Sequence, residues 1–110
     1  MFSILIPTYN NIDYLKICLN SLIKSSNFKH EIILHVNEGT DGTLNFLKLR
    51  NYKYTSSNKN VGLCSAINQA SKLVTKKYIL YAHDDMYFCP DWDKYLYEEV
   101  KNVGNEQFYL

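Results

Sequence analysis

Two adjacent carboxylates, Asp84 and Asp85, directly follow an apolar run from Tyr78 to Ala82 that is typical of a buried strand. Hard divalent cations bind oxygen ligands, and a diphosphate that is held through such a cation needs its negative charge neutralised. The pair therefore indicates a metal-assisted diphosphate site at the end of this strand. The structural alternative is that the two aspartates cap the loop or the helix that follows.

Other polar clusters also follow predicted strands. They are Thr8-Tyr9-Asn10, Asn37-Glu38 and the loop from Ser56 to Gly62. In an open parallel sheet, ligands bind at the carboxyl ends of the strands, because loops and helix N-termini meet there with unpaired amides. We therefore expect these clusters and the two aspartates to share one edge of the sheet. Polar loops end strands in all proteins, so the clustering alone identifies no ligand.

The strands that would position these clusters are short apolar runs. They are predicted at Phe2 to Ile6, where Pro7 closes the run, and at Glu31 to Val36, Asn51 to Thr55 and Tyr78 to Ala82. Strands that alternate with helices favour a parallel sheet with right-handed crossovers and helices on both faces. The sequence therefore predicts the α/β class.

Apolar residues at spacings of three and four predict the intervening helices. The stripes run from Ile12 to Ile23, from Leu44 to Leu49 and from Leu63 to Val74, and a last helix carries Trp92, Tyr95 and Leu96. Asn10 or Asn11 is the expected N-cap of the first helix. Pro90 is expected in the first turn of the last one, where an amide would be unpaired in any case. Asn68 is expected to be a buried structural amide.

Length and composition are those of one ordinary globular domain, with 110 residues of which 46% are hydrophobic. The formal charge of +1 gives no field that would draw the chain to nucleic acid or to an anionic membrane. No apolar run approaches the length needed to span a bilayer. We therefore expect neither a nucleic-acid partner nor a transmembrane segment.

The cysteines indicate a cellular compartment. Their number is odd, at 3, and Cys18, Cys64 and Cys89 form no CxxC pair. We expect them to be reduced and to pack as small apolar residues. The segment that precedes the first strand is too short for a signal peptide, so the predicted location is the cytoplasm.

The chain resembles the inverting family 2 glycosyltransferases in four segments that cover most of its length. These segments are FSILIPTYN, EIILHVNEGTDGT, NKNVGLCSAINQA and YILYAHDDMYFCPDW. The resemblance implies a three-layer, Rossmann-like GT-A half-domain with a mostly parallel sheet. It also implies that residues 1–110 form a single nucleotide-sugar-binding domain, truncated before the acceptor half of a parent enzyme.

The resemblance implies that Pro7, Thr8 and Tyr9 line the nucleotide pocket, with the Tyr9 ring against the base. In the family a carboxylate ends the second strand and hydrogen-bonds the base, whereas this chain has Asn37 there, followed by Glu38. An asparagine offers both a donor and an acceptor to a uracil-like edge, so the choice of base stays open. Glu38 either substitutes for the missing carboxylate or faces solvent.

Two further motifs match by the same resemblance. Asn60 and Gly62 correspond to a segment in which a glycine lets the backbone pass close to the ligand, although the start of a helix explains them as well. His83-Asp84-Asp85 corresponds to the family's DxD motif. Asp85 is then the implied ligand of Mn²⁺ or Mg²⁺, and Asp84 faces ribose or phosphate. His83 departs from the motif and is expected to be a loop residue, because these cations prefer oxygen.

The implied activity is transfer of a sugar from a nucleoside diphosphate sugar, with a UDP-sugar favoured, to a hydroxyl of an unknown glycan, lipid or protein. By resemblance the metal assists the reaction and the anomeric carbon is inverted. The family's general base belongs to the part that follows the DxD segment, so no catalytic residue is assigned. Glu98 and Glu99 are expected to face water on the last helix. This chain alone is therefore expected to be inactive.

Two alternatives belong to other classes of protein. The chain could be a complete, non-catalytic nucleotide-binding or interaction module, whose end at Gln107-Phe108-Tyr109-Leu110 would expose apolar surface to a partner. It could also be a flavin or dinucleotide binder. No GxGxxG motif follows the first strand, so this last interpretation is disfavoured.

Overall fold

The computed structural model describes residues 1–103, in which strands and helices alternate along the chain. The strands are β1 (Phe2–Tyr9), β2 (Glu31–Asn37), β3 (Lys53–Ser57) and β4 (Tyr78–Tyr81). The helices are α1 (Ile12–Ser25), α2 (Thr43–Leu49), α3 (Leu63–Ser71) and α4 (Trp92–Val103). The predicted Gln107 to Leu110 surface lies outside the described residues.

All the strand pairings of the sheet are parallel. β1 pairs with β2 on one side and with β4 on the other, and β3 pairs with β2, which gives the order β3-β2-β1-β4. Parallel neighbours need long crossover connections, and each connection here contains a helix. The predicted α/β, Rossmann-like fold with a parallel sheet is confirmed.

Helices cover both faces of the sheet because successive strand side chains point to opposite sides. On one side Ile4 packs in a cluster with Leu15 of α1 and Leu47 of α2, and residues of α4 belong to the same cluster. On the other side Leu5 packs with Ala70 of α3. The sheet is thus the middle of three layers, as the sequence predicts.

The first strand is longer than predicted. β1 continues through Pro7 to Tyr9, and Pro7 is aligned with His35 of β2. On the other side, β4 pairs with β1 only as far as Leu5. Pro7 therefore lies where β1 has a single neighbour, and its missing N–H is tolerated there. The prediction that Pro7 closes the strand was wrong.

Three boundaries of helices and strands differ from the predicted ones, and at each of them the backbone is left-handed or forms a tighter helical turn. Asn51 has φ +58° and ends the α2 turn, so β3 begins two residues later than predicted. Beyond Ser71 the amides bond to the third preceding carbonyl instead of the fourth, so α3 stops before Val74. Asp91 has φ +63°, which prevents a helix from running through Pro90, and α4 starts at Trp92. The predicted helical place of Pro90 was wrong.

The N-cap of α1 is Asn11, one of the two predicted residues, but its side chain makes no capping bond. Asp41, in the loop after β2, instead accepts a hydrogen bond from the Ile12 amide at 2.9 Å. In return, Asn10 accepts one from the Thr40 amide at 2.9 Å. The loops after β1 and β2 are therefore tied together, which fixes the edge at which the predicted site lies.

The cysteines are unpaired, as predicted, but only Cys18 is buried. Cys64 and Cys89 are exposed, so the expectation that all of them are packing residues was wrong. Asn68 is likewise exposed on α3 instead of buried. Within residues 1–103, no helix is both long and apolar enough to cross a membrane.

Candidate nucleotide-binding site

The carboxyl ends of β1, β2 and β4 surround a cavity of about 420 Å³. It brings together every residue that was predicted to contact the nucleotide, namely Pro7, Thr8, Tyr9, Asn37, Asn60, Gly62 and Asp84. Asn11, Leu63, Tyr81 and His83 complete its wall. The predicted convergence on one edge is thus observed, and the role of each residue in binding stays a prediction.

Thr8 fixes Asp84 at the cavity wall. The Thr8 side chain is buried, and its hydroxyl donates to Asp84 Oδ2 at 2.8 Å. Asp84 Oδ1 makes no hydrogen bond within the described part of the chain. One carboxylate oxygen is therefore used for positioning, and the other is left for a ligand.

Asp85 differs from its neighbour in being exposed and outside the cavity lining. Among residues 1–103 it has no hydrogen bond or ion pair, and no group of three or more His, Cys, Asp or Glu side chains is arranged to hold a metal. The two aspartates therefore offer a partial oxygen ligand set. A hard cation would take its remaining ligands from phosphate and water.

Cys18 supports this loop from below, which sequence reasoning missed. Its thiol lies 3.6 Å from the His83 carbonyl oxygen. Burial raises the pKa of the Cys18 thiol to about 11, and the charges of Asp84 and Asp85 also raise it. Cys18 is therefore a protonated thiol that can donate to the loop. Its place in the apolar stripe of α1 predicted only packing.

His83 is held at the rim of the cavity by Tyr81. The Tyr81 hydroxyl lies 3.2 Å from His83 Nδ1, and the two rings meet edge to face with centroids 4.8 Å apart. Both side chains are exposed. This pairing agrees with the expectation that His83 is a loop residue.

Asn37 ends β2 with its side chain almost buried, at 4% exposure. Its Oδ1 accepts from the Val61 amide at 3.1 Å and lies 3.2 Å from the Ser57 hydroxyl. Beneath it, buried His35 contacts Ser57 Oγ at 3.2 Å and Thr55 Oγ1 at 2.7 Å. Burial lowers the pKa of His35, so the ring is neutral at pH 7. In the sequence, the polar residues Thr55 and Ser57 at alternate positions of β3 were the only signal of this hydrogen-bonded row.

Tyr9 presents a half-exposed ring, at 49%, to the cavity. A hydrogen bond from its hydroxyl to the Glu38 carboxylate raises the pKa of Tyr9. Which of the two predicted roles Glu38 takes towards the base stays a prediction. Glu38 orients the tyrosine that the resemblance assigns to the base.

Gly62 caps α3 with φ +83°, a conformation that side-chain-bearing residues rarely adopt. Its amide donates to Asn60 Oδ1 at 3.0 Å, which closes the turn before the helix. No protein atom lies within 4 Å of where a Cβ would project. The space over this glycine is open, so a ligand can approach the backbone there.

A parallel α/β sheet with a polar cavity at the carboxyl ends of its strands is the arrangement of a nucleotide-binding domain. The family model of glycosyl transferase family 2 matches residues 3–109. The chain belongs to this family, which confirms the predicted resemblance. A search of curated protein sequences finds no match.

Among solved structures, the chain is similar to S. aureus TarS. The crystal structure of TarS 1–349 in complex with UDP-GlcNAc has a TM-score of 0.81 and 27% identity, covering 92% of this chain and 31% of that chain. The complex of the same protein with UDP has a TM-score of 0.79 and 28% identity, covering 92% of this chain and 32% of that one. The chain therefore spans about a third of the length of these structures.

The mannosyltransferase PcManGT from Pyrobaculum calidifontis, in complex with GDP-Man and Mn²⁺, is similar in fold. Its TM-score is 0.68 at 18% identity, covering 76% of this chain and 27% of that chain. At this identity the likeness extends to the fold only.

Glu98 and Glu99 are exposed on α4, as predicted.

Proposed function

We propose that this chain binds the donor of a parent glycosyltransferase, a nucleoside diphosphate sugar for which a UDP-sugar is favoured. The observation that carries the proposal is the single cavity lined by Tyr9, Asn37, Gly62 and Asp84. The chain's likeness to TarS, whose structures contain UDP-GlcNAc and UDP, supports the choice of nucleotide.

In the proposed complex the base lies against the Tyr9 ring and beside Asn37, where an aromatic face contributes stacking at a low entropic cost. The diphosphate then extends towards Asn60 and Gly62, where the backbone is open to close approach. Thr8 holds Asp84 towards the same space. These residues bind and orient the donor without taking part in bond breaking.

A divalent cation, Mn²⁺ or Mg²⁺, fits the residues present. Asp85 is exposed and has no hydrogen bond within the described residues, and Asp84 keeps one oxygen free. Such cations are commonly bound by one or two carboxylates together with substrate phosphates and water. We propose Asp85 as the ligand and Asp84 as its neighbour. When bound, the cation would offset the charge of the departing diphosphate.

The proposed reaction is attack of an acceptor hydroxyl on the anomeric carbon, with inversion. The bond from that carbon to the diphosphate breaks, a bond to the acceptor oxygen forms, and a general base takes the hydroxyl proton. We propose that the base and the site for the glycan, lipid or protein acceptor lie in a further part of the parent. The chain's coverage of about a third of the TarS 1–349 structures supports this division. Alone, the chain would bind the donor without transferring the sugar.

We also infer a reducing compartment, the cytoplasm. Cys64 and Cys89 are both exposed and unpaired. Exposed free thiols persist where glutathione and thioredoxin keep them reduced.

Calorimetric titration of the chain with UDP and GDP, each with and without Mn²⁺, tests the proposal. We expect binding that depends on Mn²⁺ and that is tighter for UDP than for GDP. Tighter binding of GDP than of UDP would keep the assignment of a donor site but would change the preferred base from uracil to guanine. Absence of binding at millimolar nucleotide with Mn²⁺ would contradict the assignment of these residues as a donor site.

A further inference from the structure

Asn37 is the one place where the base pocket departs from the carboxylate that the family resemblance leads us to expect. Its Oδ1 faces the Val61 amide at 3.1 Å and the Ser57 hydroxyl at 3.2 Å. The Asn37 contact acts to raise the pKa of His35, which places the acceptor Oδ1 and not the NH₂ group towards the ring, because an acceptor stabilises the protonated imidazole. A carbonyl oxygen has two lone pairs, so its acceptor capacity is used within the protein.

The orientation of the Asn37 amide follows from these contacts. The Val61 N–H can only donate, so the atom facing it must be the oxygen and not the NH₂ group. Asn37 Nδ2 then makes no hydrogen bond within residues 1–103. No buried side-chain nitrogen or oxygen in that part of the chain lacks a partner. Nδ2 therefore retains access to solvent, and the open space beside Asn37 is the cavity.

We propose that Asn37 recognises the nucleobase as a hydrogen-bond donor, through an acceptor atom of the base. This inference rests on the proposed function and deepens it. A carboxylate at the same position could only accept, and it would select a ring N–H such as that of uracil. The hydrogen-bonded row of half-buried Thr55, buried His35 and half-buried Ser57 holds the asparagine in the donor orientation.

The donor orientation has a consequence for specificity. Uracil presents carbonyl acceptors on either side of its N3–H, while cytosine presents an acceptor at N3 and a carbonyl at C2. An accepting group therefore binds uracil and repels cytosine at this edge, whereas a donating group finds an acceptor on either base. The proposed preference for UDP is then a preference over purine nucleotides such as GDP, and CDP should bind with an affinity similar to that of UDP.

Titration of wild type and Asn37→Asp with UDP and CDP, all with Mn²⁺, tests this inference. We expect wild type to bind the two nucleotides within about fivefold of each other. In Asn37→Asp the ratio of CDP to UDP dissociation constants should rise by about 10-fold or more, because one good hydrogen-bonded contact to a base edge discriminates by about that factor. The ratio cancels the general repulsion between a new carboxylate and the diphosphate.

Two further variants make the result decisive. Asn37→Ala removes the donor without adding an acceptor, so both nucleotides should weaken while their ratio stays near that of wild type. Asn45→Asp places the same charge on an exposed position of α2, outside the cavity lining, and should leave the ratio unchanged. A urea unfolding curve of each variant verifies that it folds.

The possible failures are distinguishable. A wild type that already prefers UDP over CDP by more than about 10-fold, or an Asn37→Asp ratio equal to that of wild type, would overturn the donor assignment while leaving the donor site intact. No binding of UDP, CDP or GDP to wild type would overturn the proposed function itself, and this inference with it.

Discussion

The amino and carboxyl edges of the sheet each carry two carboxylates beside a cavity of similar size, about 390 Å³ and 420 Å³. At the amino edge, Glu31 accepts from Ser3, Lys53 and Thr75. Near the same edge, fully buried Asp93 accepts from the loop before β2. The protein itself therefore satisfies both of these charges.

At the carboxyl edge the corresponding groups are left incomplete. Asp84 has one hydrogen bond, to Thr8, and Asp85 has none within the described residues. Cavity size alone therefore does not identify a ligand site. A carboxylate that the protein has already saturated stabilises the fold, and one that is left with free oxygens is available to a cation or a substrate.

The pKa values of the two amino-edge carboxylates reflect their hydrogen bonds. Burial alone would raise the pKa of Glu31 and of Asp93. Hydrogen bonds from Lys53, Thr75 and Ser3 outweigh this effect and lower the pKa of Glu31 to about 2. Bonds from the Asn27 and Phe28 amides and from His30 likewise lower the pKa of Asp93 to about 2. Both groups therefore stay ionised in the folded state to low pH.

Replacing Asp93 should have the largest effect and should act on stability only. In Asp93→Ala the Asn27 and Phe28 amides and the His30 ring lose their acceptor, which lies 2.8 to 2.9 Å away. We expect the free energy of unfolding to fall by about 3–5 kcal/mol, measured by urea denaturation. Asp93→Asn keeps one acceptor oxygen and should lose less. UDP affinity of the folded protein should be unchanged, and a loss below about 1 kcal/mol would contradict the structural role.

Replacing Asp85 should show the reverse pattern. In Asp85→Ala we expect Mn²⁺-dependent binding of UDP to weaken by about 100-fold, equivalent to about 2.7 kcal/mol, because the proposed cation ligand is lost. The urea midpoint should stay within error of wild type, since the side chain makes no hydrogen bond within residues 1–103. Glu98→Ala, an exposed carboxylate on α4, is the matched control. Unchanged UDP affinity in Asp85→Ala would remove the metal-ligand assignment.

Acid titration of Glu31 tests the stabilising role of the amino-edge carboxylates, and the expected change in stability is smaller. The folded pKa of Glu31 is lowered from 4.5 to about 2, so its contribution is present above pH 4.5 and is lost as the pH falls towards 2. At pH 7, Glu31→Gln should be less stable than wild type by about 1–2 kcal/mol, because the Lys53 bond is lost. Urea midpoints from pH 7 to pH 2 should converge for the two proteins. Parallel curves over that range would exclude Glu31 as the source of the acid sensitivity.

The sequence predicted the parallel α/β fold and the convergence of the site residues. Both follow from local features of the chain, namely the alternation of strands with helices and the polarity of the loops. It failed where a distant partner decides the outcome. One case is Pro7, which stays in β1 because β4 ends early. The start of the last helix was misplaced for a local reason, because Asp91 has a positive φ directly before Trp92. Neither fact is visible in apolar periodicity.

The supports of the site were also beyond the sequence. Cys18 reads as one more apolar residue of α1, yet it lies beneath the loop that carries the two aspartates. Likewise, an asparagine at position 37 offers a donor and an acceptor equally, until Val61 and Ser57 occupy its oxygen. Such partners lie 20 or more residues away in the chain, and no local pattern encodes them.

The unequal lengths of β1 and β4 give the sheet a stepped edge. β4 has 4 residues against 8 in β1, and its ladder closes where the Ala82 amide donates to the Leu5 carbonyl at 3.0 Å. The chain then turns across the shelf formed by the last residues of β1, and there Thr8 meets Asp84. The cavity therefore depends on the residue at which β4 stops pairing with β1. Extending β4 by a few paired residues would fill the shelf with backbone and erase the site without changing any residue that lines it.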